Sequence, residues 1–175
     1  EEKALSTKDF NYAGNWKSTT IFSYAADGVT LAKSTTYRHL AVGATDTLNA
    51  TGATFFQGNA TIKSVTVYGD GFGGAALEGE EKAQVTYNFD GTGKNIKTVT
   101  SFVYGAEANL VRSETKRNTS HAVTQSAIDP AAEITAANTG LGAAKLKSIT
   151  YYTGAENEEK ALSTKDFNYA GNWKS

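Results

Sequence analysis

EEKALSTKDFNYAGNWKS fills residues 1–18 and returns without a single change at residues 158–175. Two merely similar structural elements would differ at their surface positions, so identity of this length marks a repeat seam with an offset of 157 residues (158 − 1). The expectation is one unit plus the opening of the next, a window on a tandem array. An appended overlap, or a recent duplication inside one small protein, would leave the same trace. The chain contains no Met, which adds the expectation of an internal or processed stretch.

Inside the unit lies a second, fainter repeat. NWKSTTIFSYAADGVTLAKSTTYR (15–38) aligns with NIKTVTSFVYGAEANLVRSETKR (95–117) across one gap, pairing Asn15 with Asn95, Lys17 with Lys97, Ser34 with Ser113 and Arg38 with Arg117. IKSVTVYGDG (62–71) matches LKSITYYTGA (146–155), and EEKA follows at 80–83 and 158–161. The chain therefore divides into a first half-unit at 1–61, a second at 62–146 and the start of the following one at 147–175.

The local period is two. KSVTVY and KSITYY are β-branched or aromatic runs, and the turn-forming AADG, FDGTG, YGDGFGG and YAGN stand between such runs. The fold class expected is all-β, with repetitive antiparallel hairpins forming a β-solenoid-like or stacked β-sheet array. Aromatics spaced two apart would share a strand face and pack the seam between repeats: Phe10 with Tyr12, Phe22 with Tyr24, Tyr87 with Phe89, Phe102 with Tyr104, Phe167 with Tyr169, together with Trp16 and Trp173. The stretches 39–61 and 118–145 occupy equivalent places but share little sequence, as loops can. In the second, DPAAEITAAN (129–138) predicts a short helix capped by Asp129 with Pro130 first.

YNFDGTGKNI (87–96) resembles the tyrosine–aspartate repeats of bacterial Rhs and teneurin-type cell-surface proteins, with Phe89 at the usual second Tyr and Asp90, Gly93 and Ile96 in place. FSYAADGVTL (22–31) keeps the aromatic pair, Gly28 and Leu31, but has Ala25 where Asp is usual; FVYGAEANL (102–110) keeps less. The resemblance implies β-hairpins that wrap into a shell or a strand-rich solenoid.

Several function classes recede on composition. There is no Cys, so thiolate chemistry, disulfides and Cys-based metal centres are excluded. No run of about 18 apolar residues is present to span a membrane as a helix. A net charge of −1 with dispersed Lys and Arg predicts no polyanion-binding face, and hence no nucleic-acid partner. His39 and His121 lack closely spaced ligand partners and read as solvated linker residues. Glu78, Glu80 and Glu81, and the turn residues Asp70 and Asp90, match no calcium-loop spacing. No Ser or Thr sits in a nucleophile-elbow context, so neither catalysis nor a cofactor is expected.

Trp16 with Tyr12 and Tyr24 could form a sugar-stacking platform, but Ile96 stands at the Trp16 position of the second half, which fits a packed seat better. Asn49, Asn59 and Asn118 match the N-glycosylation pattern. These readings converge on an extracellular, cell-surface structural array, a bacterial fibre, sheath or stalk whose partners are its own copies and neighbouring chains. A covalent array and a fibre of short chains are not separated by the residues. The rival reading is an adhesin or carbohydrate-binding array in contact with surface glycans.

Overall fold

The β-branched runs do form strands, and the Gly- and Asp-rich stretches between them do turn the chain back. The computed structural model describes residues 3–14, 16–39, 60–118 and 145–174. It contains β1 (Ser6–Phe10), β2 (Trp16–Tyr24), β3 (Leu31–His39), β4 (Ala60–Gly69), β5 (Lys82–Phe89), β6 (Ile96–Tyr104), β7 (Leu110–Arg117), β8 (Lys145–Thr153) and β9 (Lys160–Asp166). The nine strands make one open antiparallel sheet in strict sequence order. No helix occurs among the described residues, and the helix expected at 129–138 lies outside them, as do His121, Asn49 and Asn59. His39 is the last residue of β3, not a linker residue.

The pairing register makes the half-repeat structural. β1–β4 and β5–β8 are equivalent sets of four strands, and β9 takes the place of β1 and β5. The boundaries expected at 61/62 and 146/147 fall inside β4 and β8, because the matching stretches there were the strands themselves. A cleaner division lies ahead of each EEKA segment.

Side chains alternate between faces, and the register assigns each face its chemistry. On one face Val65, Tyr87 and Val99 lie in a single cross-strand row, with Ile62 beside Tyr37 and Phe89 beside Ile96. Ile62, Val65, Tyr87, Phe89, Ile96 and Val99 are buried, with Tyr37, Val67 and Val85 packed against them. Full burial of such side chains stabilises by about 1.5–3 kcal/mol each, so the cohesion of the sheet is concentrated around β4–β6.

The other face carries threonines. Thr20–Thr36, Thr66–Thr86, Thr100–Thr115 and Thr150–Thr164 are cross-strand partners whose hydroxyls meet at 2.9, 2.9, 2.9 and 3.0 Å. Each such pair contributes about 0.2–1 kcal/mol, and the series falls on alternate strand pairs throughout.

Each of the eight strand pairs contains one register shift. At one end of the sheet lie the connections 25–30, 70–81, 105–109 and 154–159. At the other, the turns 11–15 and 90–95 alternate with the long connections 40–59 and 118–144. The 90–95 turn shows how one is closed. Asp90 Oδ1 accepts the Thr92 amide (3.0 Å) and hydroxyl (2.6 Å), and Asn95 Nδ2 donates to Oδ2 (3.0 Å). Gly93, at φ +69°, lies so close to β4 that a Cβ would fall 2.7 Å from the Ile62 nitrogen, so this turn requires glycine twice over.

Candidate functional site: the repeat seam

Three side-chain contacts recur at equivalent places in the two four-strand sets, two of them made to the EEKA segments. Tyr24 Oη donates to the Ala4 carbonyl (2.7 Å) and Tyr104 Oη to that of Ala83 (2.9 Å), fastening β2 and β6 to the EEKA stretches that lead into β1 and β5. The Leu31 amide donates to Glu81 Oε1 and the Leu110 amide to Glu159 Oε1, both at 2.8 Å. These bonds step over a whole strand, since Leu31 begins β3 while Glu81 precedes β5. Ser34 meets Tyr68, and Ser113 meets Tyr152, both at 3.2 Å.

The amide bond from Leu31 is the main reason the Glu81 carboxyl is held below the usual range, and that from Leu110 does the same for Glu159. Both are therefore ionised acceptors at neutral pH. A further tie is the ion pair of Lys82 Nζ with Glu156 Oε1 at 2.7 Å, which reaches from the start of β5 to the turn after β8.

The aromatic residues expected to pack the seam divide into three groups. Tyr87 and Phe89 are buried in the apolar centre. Phe22, Tyr24, Phe102 and Tyr104 are half-buried on the threonine face, where the two tyrosines act as hydrogen-bond donors. Phe10, Tyr12, Tyr169 and Trp173 are exposed, Phe10 at 59% and Trp173 at 65%, while Phe167 is half-buried.

The 158–175 segment, expected to pack a seam with aromatics, leaves Tyr169 and Trp173 exposed at the described edge of the sheet. On the core face, Lys165 of β9 stands where β5 has Tyr87, and Ser163 where β5 has Val85. The lysine lies over the rings of Tyr151 (5.7 Å) and Trp173 (5.5 Å). The side chain of Trp16 is not among those described; Ile96 at the equivalent position is fully buried, yet Trp173 is not.

The glycosylation candidate that falls within the described residues is engaged by the fold. Asn118 is 7% exposed, and its Nδ2 donates to the Ile96 carbonyl at 3.0 Å. Glu81, Glu159 and the serine–tyrosine pairs were missed as site residues, although the duplicated EEKA carried the signal for the glutamates.

Among the described residues, no group of three or more metal-ligating side chains is placed to hold an ion, and no helix is long and apolar enough to cross a membrane. No protein-family model matches the chain, and no curated protein is significantly similar to it.

Proposed function

We propose that this chain is a structural tandem-repeat segment of an extracellular bacterial fibre, sheath or stalk, in which the sheet grows by adding strands at its edge. The supporting observation is that one identical stretch supplies both edge regions. β9 pairs with β8 as β5 pairs with β4, with Tyr152 opposite Ala161 as Tyr68 is opposite Ala83. The position after β9 is therefore that of β2, and the eight-strand pattern restarts. A repeat that adds a constant step gives a filament by construction. The hairpins that resemble tyrosine–aspartate repeats would be its building blocks, and coiling of the sheet into a β-solenoid-like or stacked array is the finer part of the proposal.

The test is to express one, two and three tandem copies of the 157-residue unit and measure particle length by electron microscopy or atomic force microscopy. Eight strands at about 4.8 Å predict an increment of about 38 Å per copy. Globular beads on flexible joints, with no fixed increment, would overturn the reading.

A further inference from the structure

The register shifts share a pattern that the sequence did not advertise. In four of the strand pairs the residue left without a cross-strand partner is a lysine: Lys17 in β1–β2, Lys63 in β3–β4, Lys97 in β5–β6 and Lys147 in β7–β8. All four are exposed and lie at the end of the sheet that carries the long connections. A bulge adds a residue and re-aims its side chain. Here it delivers one lysine to every second strand, at intervals of about 10 Å.

Arginines complete the pattern. Arg38, on the strand between Lys17 and Lys63, is opposite Ser18, and Arg117, on the strand between Lys97 and Lys147, is opposite Thr98. The outcome is one pocket built twice: Lys17, Ser18, Arg38 and Lys63 line the first, and Lys97, Thr98, Arg117 and Lys147 line the second together with Asn118 and Tyr169. The two recur four strands apart, about 19 Å. Their cationic residues persist between halves whose neighbouring positions differ, such as Thr19 against Val99 and Tyr37 against Lys116.

Among the described residues no carboxylate forms an ion pair with any of these six cations. Arg117 is held by carbonyls, donating to Leu146 O (2.8 Å) and Phe167 O (3.0 Å), and lies 4.5 Å from the Tyr169 ring centre. The lysines are left to face solvent. Beyond the outer lysine of each cluster lies one carboxylate of an edge strand: Asp9 of β1, which accepts a 2.7 Å hydrogen bond from Ser18 beside Lys17, and Asp166 of β9, opposite Ser148 beside Lys147. Between the two clusters β5 places the neutral Asn88, opposite Ser64 and Thr98.

We propose that the two pockets are successive subsites for a linear polysaccharide bearing widely spaced carboxylates. The charge density decides the class. A nucleic acid carries phosphates so densely that it would set several over Asn88, where no cation answers them, and in any strand longer than the two pockets would meet Asp9 and Asp166 as well. A glycan with one acid per few sugars can set a carboxylate on each cluster and lay neutral sugars over the Asn88 position between them. The net charge of −1 conceals this row because it averages over both ends of the sheet. The inference concerns one chain and stands whether or not the chain forms a fibre.

The probe is a hyaluronate oligosaccharide, with one carboxylate per disaccharide, titrated into the full chain by calorimetry at low and high salt. Binding is expected at low salt and weakens as salt is added. Lys63→Gln with Lys147→Gln, one exposed lysine from each pocket, is expected to weaken it about tenfold or more. Lys33→Gln with Lys116→Gln removes the same charge from the opposite face and is expected to leave affinity within about twofold, a far smaller free-energy change. Circular dichroism confirms that both variants fold. Equal losses in the two variants, equal binding of uncharged dextran, absence of hyaluronate binding, or tighter binding of a single-stranded DNA of matched charge would each overturn the proposal.

Discussion

β5 and β9 are equivalent strands with unlike surroundings. β5 sits between β4 and β6 with Tyr87 and Phe89 buried, whereas every residue of β9 is exposed. Part of the contrast is position, since β9 is the described edge of the sheet. Part is composition. Where β5 presents Val85 and Tyr87 to the core face, β9 presents Ser163 and Lys165, as β1 presents Ser6 and Lys8. Charged residues on an edge strand discourage unwanted pairing, so within the described sheet the apolar centre lies at β4–β6 and the strands of the identical segments are the more polar ones.

The sharpest way to break this comparison is truncation on both sides of it. Ile96→Ala and Phe89→Ala are expected to destabilise the chain by about 2–5 kcal/mol each, the range for core truncations that leave a cavity. Phe10→Ala, at the matching but exposed position, should stay within about 0.5 kcal/mol. Urea denaturation of the three variants decides it, and a comparable loss for Phe10→Ala would show that the seam packs after all.

Glycine substitution sharpens the same contrast. Gly93 and Gly14 both have positive φ, yet a Cβ on Gly14 would meet nothing within 4 Å while one on Gly93 would strike the Ile62 backbone. Alanine at either position suffers the left-handed conformation, about 1 kcal/mol. At Gly93 the collision should raise the total to about 2–3 kcal/mol, read as the difference between the two melting curves.

The smallest effect concerns Asp90. Burial alone would raise its carboxyl, but the hydrogen bonds from Thr92 and Asn95 prevail and hold it at about 2. A depressed folded pKa gives stability that is present above the unfolded value of about 3.9 and lost as pH falls through about 2. Asp90→Asn should therefore flatten the stability profile in that window by less than about 1 kcal/mol for so solvated a group. An unchanged acid limb would remove Asp90 from the account of the turn.

Strand identity and the two levels of repetition were legible in the sequence because a period of two and Gly–Asp turns are local signals. The one-sheet, sequence-order topology was not, since nothing in Phe22 or Phe89 says whether a second layer lies over it. The aromatic pairs were legible as pairs, but the face each would take was not. Tyr87 and Tyr104 look alike in their motifs, yet register sends them to opposite faces, one to the core and the other to the Ala83 carbonyl. The lysine row was the least legible of all, because a bulge is set by pairing between strands. NWK and NIK display the lysine without saying that it will be the residue left over.

The placement of connections has a consequence for what an extended sheet would look like. The two long, dissimilar connections leave the same border, one after β3 and one after β7, while the opposite border carries only shorter turns. In such a ribbon the variable stretches of sequence would all depart from one margin, once every fourth strand, and a foreign peptide inserted there would recur at fixed intervals without interrupting a strand.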